Sequence, residues 1–213
     1  MGVITDIKEQ KRRGDRVSIF VDGRFALGMN RIVALQAGLE IGQQVTQERL
    51  MEMEAEASLE EALSASLRYL AVRPRSEREL KVRLRRRQFD EGTIDQTIIR
   101  LRKRGLLDDM TFAQYWVEQR VTFKPRSRRL LEQELRLKGV DRETIDQAVA
   151  DLDDEAEAYR AGQKRAGTIP KDDYDTFYKK LVDHLRRKGF GYSTASKTAR
   201  GLWSELEALD NTR

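Results

Sequence analysis

Apolar residues in this chain change period partway along it. In the first thirty residues they alternate roughly with polar ones, as on a half-buried strand. Beyond Thr46 they recur at three- and four-residue spacing, as on a helix with one buried face. In the first segment Val17, Ile19 and Val21 fall on one side of a strand, and Ser18 and Phe20 on the other. Arg13-Gly14-Asp15 reads as a turn between the first two strands. Asp22-Gly23 reads as a two-residue hairpin turn, because both positions tolerate positive φ. The pattern predicts a small antiparallel β meander over residues 3–28. Asn30 is placed to cap a short helix that runs to Ala37 and is stopped by Gly38.

Thr46 then opens a helix whose end is acidic, with Glu52, Glu54 and Glu56. Ser58-Leu59-Glu60-Glu61 is a capping-box pattern and predicts the start of another helix. Its expected buried stripe is Leu59, Ala62, Leu63, Ser66, Leu67 and Leu70. Pro74 ends it. Ser76 caps the next helix, with Leu80 and Leu84 inward. A third helix begins near Thr93, buries Ile94, Ile98 and Leu101, and closes at Gly105. Three helices, at 58–72, 76–88 and 92–104, make one unit. The same grammar follows. Asp108 or Asp109 caps a helix carrying Phe112, Trp116 and Val117, and Pro125 stops it. Ser127 caps a second with Leu130, Leu131, Leu135 and Leu137, ended by Gly139. Asp141 caps a third with Ile145, Val149 and Leu152 inside.

The repetition is also written in residue identities. RPRSERELKV (73–82) falls on KPRSRRLLEQ (124–133) at an offset of 51 residues. At that offset EGTIDQTI (91–98) falls on RETIDQAV (142–149). A degenerate third copy aligns at an offset of 50, placing Leu181 on Leu131, Leu185 on Leu135, Gly189 on Gly139 and Leu202 on Leu152. It lacks Pro-Arg-Ser, as a terminal repeat with one unpartnered face is free to do. The expected fold is mainly α: tandem three-helix repeats forming an elongated curved array, with a small N-terminal antiparallel β meander. The expected segments are 1–57, 58–105, 106–152 and 153–213. Arrays of this kind usually bind extended partners.

Charge sharpens that expectation. Residues 1–72 carry nine cations against eleven acids, and 73–104 carry twelve against five. Residues 105–158 carry eight against thirteen, and 159–213 carry twelve against seven. Two basic blocks thus flank an acidic one. Cysteine is absent, which excludes disulfides and thiolate chemistry. The opening residues lack an apolar signal core, and no apolar run approaches ~18 residues, so a cytosolic protein is expected.

Little in the sequence points to catalysis. His184 is the only histidine. It has no second histidine and no nucleophile at triad spacing, and reads as a surface or interface residue. The run Asp151, Asp153, Asp154, Glu155, Glu157 lacks the glycine and the later bidentate glutamate of a calcium loop. No phosphate-cradling glycine motif occurs. No catalytic residue, metal site or cofactor is expected, and the chain is read as a non-enzyme. Trp116 and Trp203 sit at apolar helical positions and read as core.

The basic residues are the binding candidates. Arg78, Lys81 and Arg85 share one side of the second helix of the first unit, away from Leu80 and Leu84. Arg73 and Arg75 flank its start, where positive charge opposes the macrodipole. Arg126, Arg128 and Arg129 repeat the arrangement one unit later. Lys179, Arg186 and Arg187 mark the last basic block. Within Pro-Arg-Ser, the proline stops one helix and the serine starts the next, leaving the arginine without an evident folding role.

RYLAVRPRSERELKVRL, RGLLDDMTFAQYWVEQR, the second Pro-Arg-Ser copy and the Gly-Phe-Gly at 189–191 together resemble the RecX family, regulators of the RecA recombinase. The resemblance covers essentially the whole chain. It implies helical three-helix repeats that dock in the groove of the RecA–single-stranded DNA filament. It further implies interference with strand exchange, ATP hydrolysis or filament extension, as usual for the family. Inhibition and stimulation both stay open on the residues alone, as does which face meets RecA and which meets DNA. The alternative is a sequence-nonspecific DNA-binding protein without RecA specificity. A monomer is expected.

Overall fold

The computed structural model describes residues 1–10, 13–170 and 173–210. The chain divides into two units, Met1–Leu107 and Asp108–Arg213.

The first unit opens with three antiparallel strands, β1 (Gly2–Gln10), β2 (Arg13–Val21) and β3 (Arg24–Asn30). A two-residue strand, β4 (Gln44–Val45), pairs with the start of β1, giving the order β3-β2-β1-β4. Asp22 and Gly23 turn the β2–β3 hairpin at φ 48° and 74°, the double positive φ of a type I′ turn. Arg13, Gly14 and Asp15, expected as a turn, instead belong to β2. Residues 11 and 12 lie outside the described residues. Alternation places Ile4, Val17, Ile19, Leu27 and Met29 in the core. Asn30 caps α1 (Arg31–Gln36), its side-chain oxygen accepting from the Ile32 amide at 2.8 Å.

Helix α2 runs unbroken from Gln47 to Leu70, capped by Thr46. The break expected at Ser58 does not occur. The stretch contains neither Gly nor Pro, so nothing ends the helix once it is nucleated. Ser58 instead approaches Thr93 Oγ1 at 3.4 Å, and Glu61 accepts from Arg16 of β2 at 2.5 Å. One helix therefore serves two cores. Met53 and Ala57 pack on the sheet; Ala62, Leu63 and Ala65 pack on α3 (Glu77–Arg85) and α4 (Glu91–Lys103). Leu67, expected inside, is 41% exposed, because the contact stripe runs through Ala65 and Ser66. The buried Ser66 hydroxyl donates to the Ala62 carbonyl at 2.7 Å, satisfying itself within the helix. Helix α4 begins earlier than expected, with Asp90 as its cap and Thr93 already buried within it. Leu80, Leu84, Ile94, Ile98 and Leu101 are buried as expected.

The second unit holds two repeats. The first comprises α5 (Asp109–Phe123), α6 (Arg128–Leu137) and α7 (Arg142–Ala148). Phe112, Leu131, Leu135, Ile145 and Val149 form its core. Leu137 is 68% exposed, against expectation, because it lies one turn-fraction past the Leu131–Leu135 stripe. The second comprises α8 (Asp154–Ala166), α9 (Tyr174–Arg187) and α10 (Tyr192–Asp210) around Phe177, Leu181, Leu185, Phe190 and Leu202. Asp153 caps α8, which accounts for the acidic run as a helix start. Trp203 packs on Phe177 with ring centroids 5.1 Å apart, and Trp116 packs against the other core.

Ser76 and Ser127 act alike. Each is buried and accepts from the amide three residues on, Glu79 at 3.2 Å and Leu130 at 3.3 Å. Ser76→Ala and Ser127→Ala should each cost about 1 kcal/mol, the usual worth of such a cap. Urea denaturation of both variants measures this. Losses within about 0.3 kcal/mol of zero would mean that the caps are dispensable.

Candidate partner-binding surface

The eleven candidate cations fall into three environments. On α3, charge is matched by acids. Lys81 reaches Glu77 at 3.1 Å and Asp95 of α4 at 3.3 Å, and the Glu77 bond raises its pKa above the ordinary lysine value. Arg85 grips Glu91 with two parallel bonds of 2.7 and 2.8 Å, the fork geometry of guanidinium on carboxylate. Arg102 of α4 also pairs with Glu77. Arg78 is exposed beside them. The helix does bring Arg78, Lys81 and Arg85 to one side. That side is a mixed lattice rather than a bare cationic strip, because the first turns of α3 and α4 supply carboxylates within reach.

The Pro-Arg-Ser loops are built differently. Arg73 donates to the Pro74 carbonyl at 2.7 Å and to both Glu79 oxygens at 3.3 Å. Arg75 lies half-buried with its guanidinium carbon 4.0 Å from the Tyr69 ring centre, and Arg83 lies 5.5 Å from the same ring. Arg126 pairs with Glu134, which also accepts from Trp116 Nε1 at 2.7 Å and Arg120 Nε at 2.9 Å. Arg128 ties the two repeats of the second unit together. Its amide donates to Asp154 at 2.7 Å, and its guanidinium to the Ala150 and Leu152 carbonyls at 3.0 and 2.7 Å. The arginine between Pro and Ser therefore does have a folding role in both copies, as a stacking partner in one and an ion-pair partner in the other. Tyr69 and Glu134 are the partners that the sequence reading missed. Tyr69 stands six residues before Arg75 and Glu134 eight after Arg126, spacings that no helical or strand period singles out.

The third environment is open. The Arg129 side chain is exposed and has no hydrogen bond or ion pair among the described residues. The same holds for Lys179, Arg186 and Arg187 on α9. With Lys180 and Asp183 they make up the outer face of α9, opposite Phe177, Leu181 and Leu185.

Behind that face the charge is unbalanced. His184 is half-buried, and its pKa falls to about 4, first through burial and then through the like charges of Lys188, Arg165 and Arg187. The Lys188 ammonium is also pushed below the ordinary lysine range, by burial and then by Arg126, Lys164 and Lys124. Its Nζ donates to the Pro125 carbonyl at 3.2 Å, and its carbonyl accepts from the Ser127 amide at 3.1 Å.

These observations define a class: a small N-terminal sheet followed in sequence by tandem three-helix repeats, with cationic side chains exposed at several points. Among the described residues no His, Asp and Glu side chains gather as metal ligands, and no helix is long and apolar enough to cross a membrane. The sequence matches the regulatory protein RecX N-terminal domain over residues 2–46 and the first RecX three-helix domain over 62–101. It matches the second over 108–149 and the third over 153–198. The chain belongs to the RecX family. A regulatory protein RecX of Clostridioides difficile (strain 630) is 32% identical over 205 residues, covering 95% of this chain and 96% of that one. Another, of Amycolatopsis mediterranei (strain U-32), is 38% identical over 149 residues, covering 67% and 85%. A crystal structure of regulatory protein RecX shares the fold, with a TM-score of 0.67 at 24% identity over 93% of this chain and 98% of that one.

Proposed function

We propose that this chain regulates the RecA recombinase by docking in the groove of the RecA–single-stranded DNA filament. Bound there, it inhibits strand exchange, ATP hydrolysis or filament extension. The observation that carries this reading is the run of four RecX domains in order along the chain. Repetition of one three-helix unit along the chain suits a partner that is itself built of repeated subunits. Contact with two filament subunits through one chain raises the effective concentration for the second contact. The open cations Arg129, Lys179, Arg186 and Arg187 serve better for first recognition than Lys81 or Arg85, which would have to give up internal partners. Arg73, Arg75 and Arg126 contribute by fixing the two Pro-Arg-Ser loops, Arg128 by tying together the repeats of the second unit, and Arg78 as an exposed cation on α3.

A second reading, plain binding to DNA without RecA specificity, draws on the two basic blocks. The two separate in an assay of DNA-dependent ATP hydrolysis by RecA. Filament recognition predicts inhibition at a stoichiometry well below coverage of the DNA. Inhibition only at concentrations that strip RecA from bare DNA would rule it out. The triple variant Lys179→Glu, Arg186→Glu, Arg187→Glu should weaken inhibition at least tenfold without loss of helical content. An unchanged dose response would remove the outer face of α9 from the docking surface.

A further inference from the structure

Three segments distant in sequence deliver cations to one place in the second unit. Lys124 closes α5, Lys164 and Arg165 lie in the last turn of α8, and His184, Arg187 and Lys188 lie at the end of α9, with Arg126 on the adjoining loop. The bond from Lys188 Nζ to the Pro125 carbonyl fixes α9 against the end of α5. Among the described residues only Arg126 of this group has a carboxylate partner, Glu134, and that carboxylate is shared with Arg120 and Trp116. The Nε of Arg165 is buried without a hydrogen-bond partner.

A bland account would treat these cations as complements to helix C-termini, whose partial negative charge favours them. That account predicts stabilised ammonium and imidazolium groups. For Lys188 and His184 the direction is the opposite: burial comes first, and the neighbouring cations, Arg126, Lys164 and Lys124 at Lys188 and Lys188, Arg165 and Arg187 at His184, push the same way.

We propose that the junction of the α5, α8 and α9 C-terminal ends is a binding site for phosphate groups, with Lys124, Lys164, Arg165, Arg187 and Lys188 as its ligands. A compact anion of high charge relieves the repulsion among several cations at once. An isolated carboxylate relieves less. The source is the backbone of a single nucleic-acid strand, whose successive phosphates meet cations spread over three helix ends. This choice of source rests on the functional reading above; the site itself does not require RecA.

His184 makes the test clean, because it is the sole histidine and gives one set of imidazole signals. The full-length chain is titrated with pyrophosphate, a 15-residue oligothymidine and polyglutamate at low salt, and the ring is followed by NMR. Phosphate binding should be saturable and should raise the His184 midpoint from about 4 toward the ordinary ~6.5. Tighter saturation by the oligonucleotide than by pyrophosphate identifies nucleic acid; the reverse order identifies a free phosphate ligand and overturns that choice. A response to polyglutamate alone overturns the phosphate assignment in favour of an acidic protein. Lys124→Gln with Lys164→Gln should lower the salt slope of oligonucleotide binding by about 1.4, at ~0.7 per lost phosphate contact. An unmoved His184 signal with all three anions, or an unaltered slope in the double variant, ends the proposal. Inhibition of RecA that survives in that case leaves the functional reading standing, since the anion titrations contain no RecA.

Discussion

Gly189→Ala should cost the second unit about 3 kcal/mol, while Gly105→Ala costs the first about 1. Both glycines end a helix with positive φ, +92° at Gly189 and +65° at Gly105. An L-residue in that region pays roughly 1–2 kcal/mol. The surroundings then separate them. A Cβ on Gly105 meets nothing within 4 Å. A Cβ on Gly189 lies 2.8 Å from Leu130 Cβ and inside van der Waals contact of Ser127 Oγ. Overpacking of this kind adds about 1–3 kcal/mol. The neighbours cannot simply retreat. Ser127 caps α6, and its amide donates to the Lys188 carbonyl at 3.1 Å. Both tryptophans, Trp116 and Trp203, lie in the second unit, so fluorescence-monitored urea unfolding reports that unit, and circular dichroism reports both. Equal losses at the two glycines would mean that the contact between Pro-Arg-Ser and Gly189 has no weight in holding the repeats together.

That contact also shows what was readable beforehand. The glycine was legible as a helix stop because it aligns with Gly139, which also has positive φ. Its second role was not. Ser127 and Gly189 are sixty-two positions apart, and nothing in either segment states that one repeat's cap seats on another repeat's stop. Caps, stops and apolar stripes are local, so Asn30, Thr46, Ser76, Ser127 and Asp141 could be assigned from a few neighbours each. The continuity of α2 failed by the same logic. Ser58 with Glu61 is a valid local start signal, but a start signal inside an unbroken run of helix formers is not used. Strand β4 failed for want of length, since two residues carry no period.

The surface was less legible than the core for a related reason. Burial follows from periodicity, whereas neutralisation depends on what another element brings within 3 or 4 Å. Glu77 and Lys81 could be paired from their spacing of four. Asp95 beside Lys81, and Glu91 beside Arg85, come from α4 and require the fold. So does the excess at the ends of α5, α8 and α9, where each cation taken singly resembles an ordinary helix terminus.

Glu134→Gln should destabilise the second unit by about 2–3 kcal/mol and, unusually, strengthen binding of single-stranded DNA. Glu134 accepts from Trp116, Arg120 and Arg126 together. Burial already holds both guanidinium pKa values below the usual arginine range, and Arg120 adds like charge at Arg126. Removing one partner of a buried pair typically costs about 3–5 kcal/mol. The figure is smaller here because the arginine side chains are 23% and 32% exposed and solvent screens part of the charge. Trp116 fluorescence should shift as its indole N–H loses a charged acceptor. The loss should shrink in 0.5 M salt, where the freed arginines repel one another less. A purely structural role ends there. If the junction beside Arg126 takes phosphate, the freed guanidinium joins Lys124 and Lys188 as a further ligand, and the salt slope of oligonucleotide binding should steepen by ~0.7. A variant that loses stability with no change in that slope would confine Glu134 to the core network and leave Arg126 outside the site.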